Sequence, residues 1–280
     1  MSYETLTLAV EDHVAHVRLN RPEALNTMIL PFWHDMVAVF DAIDHDASVR
    51  AVVISSTGRH FTAGLDLGVM QAFADSDGDA GRRGERLRRS VLDMQESFSV
   101  IDRCRVPVIA AVHGACIGGG VDLVSACDIR LCSAEAYFRI QEINIGITAD
   151  VGTLQRLPYL MPAGLVRELA YTGRPLSAEE ALSAGLVNAV HADHDAAVAA
   201  ALEMAATIAA KSPLAVAGTK EMLNYARDHT IADGLNHIAT WQAAMIQTDD
   251  VARQMKANAA KTQAEFEDFL DTRKPATKGA

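Results

Sequence analysis

The chain has 280 residues, of which 50% are hydrophobic and 22% are charged, and its formal net charge is −11. This composition is typical of a globular protein with one large core, or with a core and a small second region. The acidic balance disfavours nucleic acid as a partner, because phosphate binding needs a concentrated basic surface. With no run of 18 apolar residues, we expect no transmembrane helix and no membrane partner.

The two ends of the chain resemble no targeting signal. Residues 1–14 (MSYETLTLAVEDHV) have neither the basic and apolar regions of a secretory signal nor the Arg-rich composition of a transit peptide. The last residues, KPATKGA, do not match a peroxisomal address. The sequence therefore favours a cytoplasmic location.

The first half of the chain predicts strands that alternate with helices. Residues 5–19 alternate between apolar and polar on both sides of a short turn, which is typical of a β-hairpin. Helices are predicted at 31–46, 88–104 and 118–128, and strands at 49–56, 107–114, 129–133 and 136–140. This alternation indicates an α/β layer on a largely parallel sheet.

The second half of the chain is predicted to be almost entirely helical. Two short helices end at Gly173 and Gly185, and Ser177 with Glu180 forms a capping-box pattern at the start of the second. Ser212 followed by Pro213 is a good N-cap and first helical residue. We expect a βα core with the active site at residues 1–195 and a helical C-terminal region at 196–280.

The cysteines and the one basic cluster have structural interpretations. The cysteines form no CxxC pair and complete no zinc pattern, so we expect reduced, buried thiols and no metal; they are Cys104, Cys116, Cys127 and Cys132. The basic cluster RRGERLRR at 82–89 is expected to be a solvated helix face.

Two glycine-containing loops follow predicted buried strands: HFTAGLDL (60–67) and GACIGGGVDL (114–123). Neither matches a phosphate-binding Walker loop or a GxGxxG dinucleotide fingerprint. Such loops supply unpaired backbone N–H groups at a helix start, and glycine permits a ligand to approach closely. Two loops at one edge of a sheet predict an oxyanion hole, for which the N–H groups of Ala63 and Gly119 are the best candidates.

Two acidic residues lie in the apolar stretch EINIGITADVGTLQRLP (142–158), with only Arg156 as a nearby counter-charge. Carboxylates among apolar residues are costly unless they are paired or used. Glu142 and Asp150 are therefore candidate proton-transfer groups, although both could face solvent, and Asp150 could cap a helix at 151–157.

A third acid, Asp122, lies within an apolar helix pattern and could instead pair with Arg130. His113 and His60 are interpreted as structural histidines rather than as catalytic bases.

Four stretches together resemble the enoyl-CoA hydratase/isomerase (crotonase) superfamily over nearly the whole chain: 19–26 (LNRPEALN), 61–67 (FTAGLDL), 108–133 and 142–158. The resemblance implies an α/β fold, a crotonase-like spiral of ββα units with a helical C-terminal region. It also implies an acyl-CoA thioester substrate, an enolate held by Ala63 and Gly119, and assembly as a homotrimer or a dimer of trimers, a homohexamer. No cofactor is expected, since CoA is part of the substrate.

The spacing of the acidic residues restricts the resemblance to one subfamily. Asp122, Glu142 and Asp150, with ADVGTLQRLP around the last, look like the Δ3,5-Δ2,4-dienoyl-CoA isomerases of unsaturated fatty acid β-oxidation, and residues 226–251 are also similar to that subfamily. By that resemblance Asp150 is the base at C2, Glu142 the acid at C6, and Asp122 tunes the pair; the residues alone leave the reverse assignment open. The alternatives are an enoyl-CoA hydratase and, more distantly, a non-catalytic or RNA-binding protein of this fold.

The resemblance also implies a set of substrate- and CoA-binding residues: Arg21, Ala24, Leu25, Gly64, Leu65, Asp66, Phe269 and Lys274. Arg21 is equally well interpreted as a solvated loop residue. In the tail FLDTRK (269–274), the family has a Phe and a Lys that reach the nucleotide of a neighbouring subunit. Phe269 matches the Phe, whereas Thr272 stands at the expected Lys, so Arg273 or Lys274 would have to replace it.

Overall fold

The structure, a computed structural model, describes residues 2–66, 68–69, 71, 78–246 and 248–273. Its main sheet has six strands in the order β1-β2-β3-β4-β6-β9, in which β1 and β2 form the predicted antiparallel hairpin and every other pair is parallel. The strands are β1 Leu6–Glu11, β2 Val14–Leu19, β3 Ala51–Ser56, β4 Val108–Val112, β6 Ile129–Ser133 and β9 Ala189–His191. The largely parallel sheet predicted from the alternating pattern is therefore confirmed.

A second, small sheet has the order β5-β7-β8, and its first strand closely follows β4 in the chain. Its strands are β5 Ala115–Ile117, β7 Tyr137–Arg139 and β8 Leu176–Ser177. Strand β5 lies inside the stretch that the sequence assigns to a glycine loop. The pairing of β5 with β7 restricts the positions of the loop's backbone groups.

The helices cover the sheet and extend beyond it. They are α1 Leu30–His45, α2 Ala80–Arg103, α3 Gly119–Ala126, α4 Thr153–Arg156, α5 Ala163–Thr172, α6 Ala178–Ala184, α7 His194–Ala209, α8 Pro213–Asp228, α9 Ile231–Met245 and α10 Thr248–Ala260. Short 3-10 turns occur at Pro22–Ala24, Glu142–Ile145 and Leu157–Tyr159. Gly173 and Gly185 end α5 and α6 in the left-handed conformation, as predicted from their positions after apolar helical patterns.

The core has two parts, one on each face of the main sheet. On one face α1 and α2 pack through an aromatic cluster of Phe32, Trp33 and Phe98. On the other face α7 lays small side chains, Ala201 and Ala205 among them, directly on β3, β4 and β6. Helix α7 crosses the boundary expected at residue 195 and belongs with the sheet, because its alanine face allows close approach of the helix to the strands.

The last helices expose many apolar side chains, among them Leu223, Ile231 and Leu235 at 67%, 85% and 65% exposure. Within the described ranges, no helix by itself combines the length and apolarity that crossing a bilayer demands; only α7 and α8 taken together pass that composition test, and they are bent by 109°.

The four cysteines are buried and unpaired, as expected. The basic cluster at 82–89 lies on an exposed part of α2, also as expected.

Candidate active site

The two glycine loops meet at the carboxyl edge of the parallel strands. The Thr62 N–H donates to the Ala115 carbonyl (3.0 Å), and the Ile117 N–H donates to the Thr62 carbonyl (3.2 Å). Gly64 has a φ of +86°, and a Cβ there would lie 2.7 Å from the Ile117 oxygen. The loops are therefore in direct backbone contact, which requires glycine at position 64.

The backbone donors at this junction differ from the expected pair in one position. The Ala63 N–H donates to the Leu25 carbonyl at 3.0 Å, so it has no hydrogen available for a ligand, and its assignment as an oxyanion donor has to be corrected. Among the described residues, the N–H of Leu65 and the N–H of Gly119, the first residue of α3, donate to no acceptor. Leu65 therefore carries the free donor of the first loop, because the N–H groups of Ala63 and Gly64 already donate to the Leu25 carbonyl and to Thr62 Oγ1.

Asp122 lies in the first turn of α3 and is buried. Its Oδ1 accepts the Thr153 N–H at 2.6 Å, whereas its Oδ2 is buried without a partner in the described part of the chain. Burial raises the pKa of Asp122 to about 6, although the contacts with Thr153 oppose the shift. The alternative pairing with Arg130 does not occur, since the Arg130 guanidinium donates to the carbonyls of residues 124, 127 and 186.

Glu142 begins a 3-10 turn beside the second glycine loop. A Cβ on Gly118 would lie 3.1 Å from Glu142 Oε1, which places the carboxyl against the residue that precedes Gly119. Burial, together with the negative charges of Asp122 and Asp150, raises the pKa of Glu142 to about 7. The charges of both aspartates therefore act on the Glu142 carboxyl.

Asp150 is the most open of the three acids. Its residue is solvent-exposed, while partial desolvation of the carboxyl still raises its pKa above the ordinary value. Its backbone carbonyl accepts a hydrogen bond from Gln95 Nε2 of α2 at 2.7 Å, a positioning contact that the sequence did not indicate. The N-cap of α4 is Gly152, so the helix-capping interpretation of Asp150 is wrong.

Arg156, the counter-charge near these acids, forms no ion pair with Asp150 in the described structure. Its guanidinium lies against Gly152, where a Cβ would be 1.9 Å from Nη1, and its Nε is 3.9 Å from Asp102. The positive φ of Gly152 (+134°) disfavours any other residue there. Asp150 therefore has no cationic partner in the described residues.

Most of the expected CoA-binding residues lie around the first glycine loop, where some of them make hydrogen bonds within the chain. Arg21 donates from Nη1 to the Thr27 carbonyl at 2.6 Å, which supports its interpretation as a loop residue. Leu25 is 43% exposed. Asp66 accepts from Thr27 Oγ1 at 3.0 Å and so closes the same loop. Ala24 is half-exposed beside them, and the Gly64 N–H donates to Thr62 Oγ1.

Phe269 lies far from these residues along the strands of its own chain. Its N–H donates to the Ala47 carbonyl at 3.2 Å, and the Arg105 guanidinium stacks on its ring at 4.1 Å. Both contacts flank the amino ends of β3 and β4, opposite the glycine loops. Phe269 therefore does not contact the site of its own chain, and Lys274 falls outside the described residues.

The buried carboxyl of Asp122 has a predicted effect on stability. In the folded protein the pKa of this carboxyl lies above the ordinary 3.8. The contribution of Asp122 to the free energy of unfolding is therefore complete at pH 3 and declines as the pH rises through about 6. Asp122→Asn retains an acceptor for the Thr153 N–H and removes the buried charge. We expect the variant to gain stability relative to the parent between pH 4 and pH 8, on the order of 3 kcal/mol.

Urea unfolding at both pH values and at fixed protein concentration measures this difference. Asp12→Asn, on the exposed hairpin turn, serves as the matched control. Parallel pH dependences for the parent and Asp122→Asn would contradict the assignment of a raised pKa.

The chain was then compared with known proteins. A family model described as enoyl-CoA hydratase/isomerase matches residues 9–269. The chain is 49% identical over 263 residues to the mitochondrial Δ(3,5)-Δ(2,4)-dienoyl-CoA isomerase of Homo sapiens, covering 91% of this chain and 79% of that protein. It is 40% identical over 271 residues to the peroxisomal Δ(3,5)-Δ(2,4)-dienoyl-CoA isomerase of Arabidopsis thaliana, covering 95% and 98% of the two chains.

A solved structure, an enoyl-CoA hydratase from Polaromonas sp. JS666, matches with a TM-score of 0.85 at 27% identity, covering 94% of this chain and 99% of that one. The fold class expected from the sequence is confirmed by this likeness.

Proposed function

The chain belongs to the enoyl-CoA hydratase/isomerase family and isomerises 3,5-dienoyl-CoA thioesters to the 2,4-dienoyl form, and we propose that it does so by a 1,5 proton shift through an enolate. The observation that carries this mechanism is the convergence of three carboxyls with raised pKa values on a junction with two free backbone donors.

The substrate's own chemistry sets what the site must do. In a 3,5-dienoyl thioester, the C2 protons lie between a carbonyl and a diene, so removing one gives a dienolate. Its negative charge resides on the thioester oxygen and is delocalised to C6. Returning a proton at C6 leaves the 2,4-diene conjugated with the thioester. The reaction consumes no water and no redox equivalent, so proton-transfer groups and an oxyanion site suffice.

The backbone donors of Leu65 and Gly119 are proposed to hold the thioester oxygen. Both N–H groups lack an acceptor in the described structure, and they lie on loops that are joined by backbone hydrogen bonds. A preorganised donor of this kind typically contributes about 3–4 kcal/mol to stabilising a developing oxyanion. Gly64 and Gly118 keep the surrounding backbone free of side chains that would block the approach.

The two proton transfers are proposed to use Asp150 at C2 and Glu142 at C6. Asp150 is exposed at the mouth of the site and has no cationic partner in the described ranges, so its ionised form is available as a base. Glu142, with a pKa of about 7, retains a proton at neutral pH for donation to C6. Asp122, held by the Thr153 N–H, adds negative charge that keeps Glu142 protonated.

The quaternary structure is proposed to be a homotrimer or a dimer of trimers. The exposed apolar side chains of α8 and α9, including Leu223, Ile231 and Leu235, support burial against another copy of the chain. In such an assembly we propose that Phe269 reaches the nucleotide bound to a neighbouring subunit. The nucleotide bound to the same subunit would be lined by Arg21, Ala24, Leu25 and Asp66.

The location of the protein in the cell stays a prediction. We propose a cytoplasmic location, the one that the sequence analysis favours. The relatives named above are described as mitochondrial or peroxisomal.

The test is the ultraviolet absorbance of purified protein mixed with 3,5-octadienoyl-CoA. We expect a new long-wavelength band as the diene becomes conjugated with the thioester. In a parallel reaction, 2-octenoyl-CoA should keep its own conjugated absorbance. Loss of that absorbance without growth of the dienoyl band would instead identify an enoyl-CoA hydratase, in which Asp122 and Glu142 hold a water.

A further inference from the structure

Each glycine loop carries a histidine whose ring bonds to the backbone of the other loop. His113 follows β4, at the start of the second loop, and its Nε2 lies 2.9 Å from the Gly58 carbonyl that precedes the first loop. His60 belongs to the first loop, and its Nδ1 lies 3.2 Å from the Ala115 N–H of the second. The two hydrogen bonds run between the same two segments and are reciprocal.

The surrounding backbone shows how closely this pair draws the loops together. Gly114 has a φ of +53°, and a Cβ there would lie 2.6 Å from the Arg59 oxygen and 2.7 Å from His60 Nδ1. The ring of His113 is buried and stacks on His194 of α7 with centroids 3.7 Å apart and planes within 14°. The two loops are thus held together by these contacts, and the His113 ring packs on the helix that covers the sheet.

The partners assign the proton positions on both rings. A carbonyl only accepts, so His113 must carry hydrogen on Nε2; a backbone N–H only donates, so His60 Nδ1 must be unprotonated. His60 is therefore neutral and in the Nε2–H form. His113 Nδ1 is buried without a partner in the described part of the chain, which assigns the Nε2–H form to His113 as well. The groups facing His113 are His194, Glu135 and His60, and Arg59 faces His60; burial lowers the pKa of both histidines, in keeping with this assignment.

We propose that His60 and His113 are positioning residues that set the separation of the two oxyanion donors, an inference that rests on the function proposed above. His60 lies five residues before Leu65, and Ala115 lies four residues before Gly119, so each histidine bond is made close to one donor. Displacing a catalytic group by about 1 Å can cost about 100-fold in rate. The reciprocal bonds limit such displacement without touching the substrate.

The experiment compares variants that keep or remove each bond. In His60→Asn the Oδ1 atom can take the place of Nδ1 as acceptor, and in His113→Gln the Nε2 atom can take the place of the ring donor. His60→Leu and His113→Leu remove the bonds, and His34→Leu, at an exposed position of α1, is the control. Each variant is assayed with 3,5-octadienoyl-CoA, and the thioester C=O stretch of bound 2,4-octadienoyl-CoA is recorded by infrared difference spectroscopy.

We expect the two Leu variants at positions 60 and 113 to lose about tenfold or more in kcat with KM changed less than about threefold. Their bound thioester should show a C=O stretch at higher wavenumber, since hydrogen bonds to the oxygen weaken. The Asn, Gln and control variants should stay near the parent in all readouts. Unchanged kcat and C=O stretch in both Leu variants, or equal losses in the Asn and Leu variants at position 60, would overturn the proposal.

If a Leu variant does not fold, nitrogen-15 NMR of the histidines in the unmodified protein tests the proposal instead. The proposal requires the Nε2–H form for both His60 and His113, and an Nδ1–H form of His60 would overturn it. This readout needs no reaction. Failure of the parent to isomerise 3,5-octadienoyl-CoA would therefore count against the proposed function, separately from the histidine pair.

Discussion

Asp150→Asn is expected to reduce kcat for the isomerisation of 3,5-octadienoyl-CoA by about 1,000-fold, within the range that general acid–base groups contribute. The amide cannot take the C2 proton, and within the described structure no other acid at the site is as exposed as Asp150. The fold should not suffer, because the residue is exposed and caps no helix. The contact that positions it, from Gln95, uses the backbone carbonyl, which the substitution leaves in place.

The measurement is the rate of growth of the dienoyl absorbance at saturating substrate, with circular dichroism to check folding. Asp12→Asn is the control, since this exposed aspartate lies at the hairpin turn near the amino ends of the parallel strands. A rate within tenfold of the parent for Asp150→Asn would exclude Asp150 as the base at C2.

Glu142→Gln is expected to lower kcat by about 100-fold or more, since the amide cannot deliver a proton to C6. In the parent, the pKa of Glu142 is about 7, so the acid form needed for donation is lost as the pH rises through that value. Asp150 must be ionised to act as the base. Because its pKa is raised, activity also falls as the pH is lowered through that pKa. The pH profile of kcat/KM should therefore be bell-shaped, with its alkaline limb near pH 7.

The profile of each variant separates the two roles. In Glu142→Gln the alkaline limb near pH 7 should disappear from the residual activity, whereas Asp150→Asn should retain it. Glu11→Gln, at the exposed end of β1, is the matched control and should keep both limbs. Disappearance of the alkaline limb in Asp150→Asn alone would mean that the two acids exchange roles, which the residue types by themselves permit.

The local elements of the fold were predictable where a short pattern decides them. The hairpin at 5–19, the glycine ends of α5 and α6, and the Ser212 cap of α8 all follow from neighbouring residues. Strands β5, β8 and β9 were not predicted. Each has only two or three residues, so pairing with distant segments rather than local periodicity determines them.

The candidate site was predictable in its membership more than in its geometry. The acids Asp122, Glu142 and Asp150 were all expected, and the structure brings them together. Their environments were not expected to differ as they do, since Asp122 is buried and Asp150 is exposed. Burial depends on which elements pack above a residue, and helix α2 and the α4 turn supply that packing from far along the chain.

The sequence by itself determined the chemistry available: which residues carry carboxyls, where glycine permits close approach of backbone, and where parallel strands direct their loops. Only the tertiary structure decided which backbone groups remain free, because hydrogen bonds also join residues that are far apart in sequence. Leu25 occupies the N–H of Ala63 and so leaves that of Leu65 available. In the same way, the reciprocal bonds of His60 and His113 exist only because two separate βα loops meet at one edge of the sheet.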